Sequence, residues 1–459
     1  MGLEGRRTRG KAAKTGLLRI VLPLMILAAG ALAIPLFVHS EREITGGGPG
    51  TLPSEPEPLP PIELSFTCVG DIMAHSTQLT AQYDSGTGTY DFTNNYIYVK
   101  DYISQADLAL CNVETTFAGG TPTGYPAFNS PDSMATAMKD AGFDVALTSN
   151  NHMLDRGFNG MQRTLDVLRE AGMITVGSRK DGEKRYAVTD VKGVKVGVVA
   201  YTYETTGVNG QRTMNGSAMS NESKALINSF AYPKLDEDLA YLKQDIDDAR
   251  AEGAQIVIVY LHWGEEYQRS PNDWQQSIAA SVAGYGADII FASHTHVLQP
   301  VEYLYVTADG TVSHEPPEDD AAADDAVAEE DDAAADGAVA EVRKVPVFYS
   351  MGNFISNQRA ETLDNRYTEQ GMLANVAVTW DQETGTISQI SMDVLPTWVD
   401  RFKADGKQNY YIIPLDNALN SNETLARSGH LSRARQALED VRKLIGDEFM
   451  SLSCPPAGS

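Results

Sequence analysis

A chain of 459 residues with 42% hydrophobic and 8% aromatic side chains has ample material for a core, which excludes a wholly disordered chain and a mini-protein scaffold. Its 36 lysines and arginines face 62 aspartates and glutamates, and the resulting net charge of −26 repels phosphate backbones and argues against a nucleic-acid binder. Three cysteines, Cys68, Cys111 and Cys454, are too few for a disulfide scaffold and lack zinc-finger spacing.

In chain order the first feature is basic: Arg6, Arg7, Arg9, Lys11, Lys14 and Arg19 stand against Glu4. From Ile20 to Val38 no charged or strongly polar side chain occurs, a run about as long as the ~20 residues that cross a hydrocarbon core. Basic residues flanking a span stay in the cytoplasm. The expectation is a single-pass protein of the cell membrane, with residues 1–19 cytoplasmic and the main domain extracytoplasmic. The alternative is a cleaved signal peptide, because Ala31-Leu32-Ala33 resembles a small-x-small cleavage site, although the run exceeds the usual ~7–15-residue signal core. Residues 39–61 follow as a linker. Its stretch Gly46 to Pro61 is dominated by proline and glycine, which makes it a tether with no core to pack.

Beyond the linker, apolar β-type runs cover Ile62–Val69, Leu108–Val113, Val145–Thr148, Lys195–Tyr201, Ile256–Leu261, Ile289–Ala292 and Val345–Tyr349. Helical periodicity covers Ser133–Ala141, Met161–Ala171, Leu235–Glu252 and Asp273–Tyr285. Strand and helix in alternation predict an α/β domain over 62–459, with sheets covered by helices. Leu373–Thr379 and Ile387–Val394 read as an antiparallel pair, and Ser432–Ile445 as a closing helix. Between Glu315 and Glu341 lie twelve acidic residues, ten alanines and no basic residue, so this insertion is expected to be a disordered, solvated loop. Cys68 and Cys111 end two strands that can be neighbours, which leaves a disulfide and two buried thiols both open.

The chemistry lies where the strands end. Ile62–Val69 leads to Gly70-Asp71-Ile72-Met73-Ala74-His75, and Leu108–Cys111 to Asn112-Val113-Glu114. Val145–Thr148 leads to Ser149-Asn150-Asn151-His152, with Asp155 three residues on. Ile256–Leu261 leads to His262-Trp263-Gly264-Glu265-Glu266-Tyr267, and Ile289–Ala292 to Ser293-His294-Thr295-His296. Ligands of open α/β sheets bind beyond the carboxyl ends of the strands. Five of the eight histidines fall in these places, too many for isolated core histidines. Carboxylates, imidazoles and a carboxamide suit a divalent Mn, Fe, Zn or Co ion better than a thiolate-bound zinc. His294 and His296, two apart, point the same way if the segment is extended, whereas adjacent Asn151 and His152 diverge. So many ligands exceed the needs of one tetrahedral ion and fit two, which can activate water and stabilise both oxygens of an in-line displacement.

The ordered strings GDIMAH, NVE, SNNHMLDRG, HWGEEY, SHTHVLQ and SMGNFISNQ resemble the poly-gamma-glutamate capsule-synthesis (CapA-type) family, itself similar to calcineurin-like metallophosphoesterases. The resemblance runs from about Ile62 to Val394, outside the acidic insertion. It implies a layered α/β/β/α sandwich and a role in making or anchoring an envelope polymer. It also implies metal ligation by Asp71, His75, Asn151, His262, His294 and His296. Asp71 and His75 are separated by three residues where phosphoesterases usually have one, and Asn112-Val113-Glu114 replaces the bridging-aspartate motif. Glu114 is therefore expected to be the bridging ligand. His152 is the expected catalytic residue, with Asp155 either orienting it or capping the following helix. Asn112, Trp263, Glu266, Tyr267, Asn353 and Gln358 are candidates for lining a substrate cleft. The expected partners are an anionic polymer or lipid-linked precursor and membrane synthase or exporter subunits. A non-catalytic polymer-binding subunit and a general metal-dependent phosphodiesterase are the alternatives.

Overall fold

The computed structural model describes residues 58–316, 342–404 and 406–454. The basic tail, the apolar span, most of the linker and the insertion from 317 to 341 lie outside the described residues. Among the described residues, no helix is long and apolar enough to cross a membrane.

Two mixed eight-stranded sheets form the body. In the first, Ile62–Ile72, Leu108–Val113, Val145–Leu147 and Ile174–Val176 run parallel. An antiparallel extension, Gln370–Asp381, Thr386–Ala404 and Lys407–Pro414, continues the sheet on the other side of Ile62–Ile72. In the second, Ser229–Phe230, Val194–Tyr203, Ile256–His262, Ile289–Ser293 and Arg343–Phe348 run parallel, and Val301–Val306 returns antiparallel. Leu108–Val113 and Ile256–His262 are buried throughout, which is why they read as unbroken apolar runs instead of alternating ones.

Three apolar clusters show how the layers pack. Phe66, Cys68, Leu110 and Leu147 of the first sheet meet Val196, Ile258 and Phe291 of the second in one shared core. Val69, Cys111, Val113 and Ala146, on the opposite face of the first sheet, pack on Met134 and Met138 of the helix Ser133–Ala141. Val199, Val257 and Leu261 pack on Leu242 and Ile246 of Leu235–Ala251 and on Ile278 and Val282 of Asp273–Gly284. The order is thus helix, sheet, sheet, helix.

Cys68 pairs in register with Leu110, and Cys111 with Val69. This offset of one residue sends the two thiols to opposite faces of the sheet, so no disulfide joins them and both are free. The helix expected from Met161 begins at Gly157, where Gly157, Asn159 and Gly160, weak helix formers, hid its first turn. The antiparallel pair extends to 370–381 and 386–404, well past the apolar runs that announced it.

Candidate metal centre

The parallel strands of both sheets direct their carboxyl ends to one place. A register shift between Val69 and Asp71 bulges the first strand at Gly70 and sets Asp71 opposite Asn112. Gly70 has no room for a side chain, because a Cβ there would lie 2.0 Å from the Gly352 carbonyl oxygen. The Asp71 N–H donates to that same oxygen at 2.9 Å, which ties the strand end to Gly352, just before the short strand Asn353–Ile355.

Two groups of ligand atoms form at this junction, Glu114 with His262 and His294, and Asp71 with Glu114 and His296. Within each group the atoms lie within 4.8 Å of one another, and Glu114 belongs to both. All five side chains are buried. Both Glu114 carboxylate oxygens and His294 Nδ1 lack a hydrogen-bond partner. Buried polar atoms are seldom left so, and an orphaned carboxylate among imidazoles fits a cation between them. Asn151 Oδ1 lies 3.0 Å from His262 Nε2, which in turn is 3.6 Å from Glu114 Oε1, so Asn151 adjoins the first group.

Burial, reinforced by the Asp71 charge, pushes the Glu114 carboxyl well up. Burial lowers His262 to about 3. His294 is driven well down by burial and by its histidine neighbours. Asp71 and His296 go the other way. Burial would raise the Asp71 carboxyl and lower His296, but the contact of His296 Nδ1 with Asp71 Oδ2 at 3.0 Å outweighs it and keeps Asp71 low and His296 raised. Metal ligation requires neutral imidazoles and ionised carboxylates: burial already keeps His262 and His294 neutral, and a cation beside Glu114 would offset the burial that raises its carboxyl.

His294 and His296 do not lie on an extended segment. Their φ angles are 108° and 59°, in the left-handed region, and the turn sends them to different groups instead of one common side. His75 belongs to neither group. It heads the short helix Ser76–Gln82, where its backbone N–H donates to Gln78 Oε1 at 2.8 Å, and burial lowers it to about 4. His75 and His152 flank the Phe128 ring at 5.1 and 4.8 Å between centroids. Asp155 Oδ2 lies 2.8 Å from His152 Nδ1 and accepts the Phe128 N–H at 2.7 Å. It therefore orients His152 and does not cap the helix Gly157–Glu170.

Several expected cleft residues serve the framework instead. Asn112 is fully buried, and its Nδ2 donates to Asp71 Oδ1 at 2.8 Å, so it fixes the Asp71 carboxylate instead of lining an open cleft. Trp263 stacks on Tyr349 and donates Nε1–H to the Tyr349 carbonyl at 2.9 Å within the apolar core under the helices. Its indole is large enough to seal that core, and core packing overrides the cleft reading. Asn353 Nδ2 is spent on the His296 carbonyl, the Thr368 carbonyl and Gln358 Oε1. Glu266 is exposed, and Tyr267, half-buried with φ 68°, places its ring 6.0 Å from that of His296.

Two residues of the site carried no separate signal in the sequence. Asn150 links strand ends through Asn112 Oδ1 at 3.2 Å and the Val113 carbonyl at 2.7 Å. Phe128 comes from a loop with no strand pattern. Asn150 sat unremarked in the Ser-Asn-Asn-His string, and nothing marked Phe128.

The family described as Bacterial capsule synthesis protein PGA_cap matches residues 65–358, more than half of the chain. The chain belongs to this family. It is 29% identical over 248 residues to the capsule biosynthesis protein CapA of Bacillus anthracis, covering 52% of this chain and 55% of that one. It is 29% identical over 224 residues to the PGA biosynthesis protein CapA of Bacillus subtilis, covering 48% and 44%. The chain thus spans about half the length of these curated relatives. A solved structure described as a novel phosphatase from Mycoplasma pneumoniae is similar over 73% of this chain and 94% of its own, at 14% identity. Its TM-score of 0.35 is too low to bear on function.

Proposed function

We propose that this family member is a membrane-anchored, extracytoplasmic protein of capsule, poly-gamma-glutamate or related cell-wall polymer synthesis, carrying a metallophosphoesterase-like site for two divalent ions. The names of the Bacillus relatives support the pathway, and the basic, apolar N-terminal sequence supports the location. The observation that carries the metal reading is Glu114, fully buried, shared by both ligand groups and unpartnered at both oxygens.

Asp71 and His296 would hold one ion, and His262 and His294, with Asn151 beside them, the other. Glu114 would lie between the two. Carboxylate and imidazole donors without thiolate suit Mn, Fe, Zn or Co. Such ions polarise a phosphoryl or carbonyl oxygen and lower the pKa of bound water. Asp155 holds His152 through Nδ1, which leaves Nε2 to carry a proton to or from a leaving group. Asn112 fixes the Asp71 carboxylate, and Tyr267 stands at the rim. The substrate would be an anionic polymer or a lipid-linked precursor, presented by membrane synthase or exporter subunits.

Metal analysis of the purified full-length protein, paired with polymer measurement in a deletion strain, tests this reading. Deletion should abolish the polymer, and wild type but not Glu114→Gln should restore it. Restoration by Glu114→Gln would sink the metal-site role and leave a non-catalytic accessory subunit.

A further inference from the structure

On a chain of net charge −26, one surface cleft is conspicuously cationic. It has a volume of about 350 Å³ and is bounded by Arg401, Lys403, Arg427, His430 and Arg433, with Glu361 as the acidic wall residue among the described residues. The residues come from distant stretches that meet at the antiparallel edge of the first sheet: the end of Thr386–Ala404, the helix Glu423–Ser428 and the start of Leu431–Ile445. None of them belongs to the metal centre. Like charges brought together repel unless an anion lies among them.

Glu361 shows what the cleft accepts. Its carboxylate lies 3.0 Å from Arg433 Nη1, 3.7 Å from Arg401 Nη2 and 3.8 Å from Arg359 Nε, yet its side chain is 47% exposed. Three guanidiniums therefore already surround one carboxylate, from a wall residue that solvent can reach. Arg433 is also held from below, where Nη2 lies 2.9 Å from the buried Glu369. His430 is fixed in the same way, with Nδ1 2.7 Å from buried Asp400 Oδ1. Lys403 and Arg427 stand exposed at the mouth.

The cleft is also linked to His75, which stands outside the two ligand groups. Arg401 Nη1 donates to Asn357 Oδ1 at 3.2 Å, and the Asn357 N–H donates to His75 Nδ1 at 3.3 Å. One residue thus separates the basic wall from His75. A polyanion seated here would approach the ligand groups from the His75 side.

We propose that this cleft is a subsite for a polycarboxylate chain, in which Arg401, Arg433, Lys403 and Arg427 hold successive carboxylates and Glu361 occupies one of those positions when the chain is absent. The assignment rests on the polymer reading above and names how the polymer is held. Guanidinium forks match carboxylates in geometry, and exposed cations add a salt-dependent attraction.

The test measures binding of a fluorescent γ-linked glutamate oligomer to the full-length, metal-loaded protein, with inorganic phosphate as the comparison anion. Lys403→Glu combined with Arg427→Glu should weaken the oligomer at least tenfold and flatten its salt dependence, while metal content stays at the wild-type level. Glu361→Gln should tighten binding several-fold, because the internal competitor loses its charge. This second variant answers even if the double charge reversal folds poorly. Unchanged oligomer binding in both variants overturns the proposal, and so does phosphate binding as tight as that of the oligomer. A deletion strain with normal polymer would sink the pathway reading instead, and the binding assay would still decide the cleft on its own.

Discussion

A glutamate with no exposed surface and no partner at either oxygen is costly as an anion, and the Glu114 carboxyl responds by rising well above its ordinary value. Because the folded value exceeds the unfolded one, metal-free native protein keeps a proton that the unfolded chain has released. That contribution is fully present below the ordinary carboxylate value and is lost as pH rises through the folded one. Cations held by Asp71 and His296 on one side of Glu114, and by His262 and His294 on the other, would reverse the preference and make the charged form the favourable one. Glu114→Gln should therefore behave oppositely in the two states. Without metal its melting temperature should equal or exceed that of the wild type near neutral pH, and the slope with pH from this group should vanish. With Mn²⁺ in excess the wild type should gain stability, about 2.7 kcal/mol for each site at a hundred times its Kd, while the variant gains less than half the total. Bound metal should fall from about two ions to one or fewer. Calorimetry with and without Mn²⁺, together with metal analysis, reads both effects. Full stoichiometry in Glu114→Gln, alongside its loss in His294→Ala, would make the site mononuclear and the bridging role wrong.

At the scale of elements, the strand ends place the site, and two of them were legible for different reasons. Asp71 follows a stretch in which Glu63, Ser65 and Thr67 alternate with apolar Leu64, Phe66 and Cys68, whereas His262 ends a fully buried parallel strand, where an unbroken apolar run stops at a polar residue. His294 and His296 also followed such a run, but their separation into two ligand groups comes from left-handed backbone that a spacing of two does not reveal. Trp263 was illegible for a third reason: a tryptophan beside a site histidine reads the same whether its ring faces the cleft or, as here, the core. The acidic insertion offers a cleaner test of an element boundary. Val312 and Arg343 both pair with Val306, from its two sides, so the chain ends around the insertion are two strand spacings apart, roughly 10 Å. A few residues span that gap. Replacing Pro316–Ala340 by a short Gly/Ser turn should leave the circular dichroism spectrum and metal content as in wild type, with the melting temperature within a few degrees. Loss of bound metal or of the folded spectrum would show that the segment is integral to the domain.

At the scale of the whole molecule, the strand–helix alternation announced layers of helix and sheet. It did not announce how two sheets would bring Glu114 of one next to His262 and His294 of the other, because that contact depends on sheet-on-sheet packing through Phe66, Ile258 and Phe291. The cationic cleft was hidden for a related reason, since Arg401, Arg427 and Arg433 are scattered singly along an acidic sequence and meet only in the fold. Where the folded part works is a separate question, and the sequence before it supplies the physical basis for a prediction. Six basic residues precede the uncharged run from Ile20 to Val38, and one acidic residue accompanies them. Retaining that basic segment on the cytoplasmic side costs least, so the chain after the run should be translocated. The domain surface argues nothing against export, and a polyanion made at the envelope would be met there. A phosphatase reporter that is active only outside the cytoplasm, fused after Pro61, should be active, and a β-galactosidase reporter at the same position should be silent. Exchanging the basic residues before Ile20 for glutamates should lower the phosphatase signal. Should the galactosidase fusion instead be the active one in the unaltered chain, the extracytoplasmic placement falls, and with it the idea that the cationic cleft meets its polymer outside the membrane.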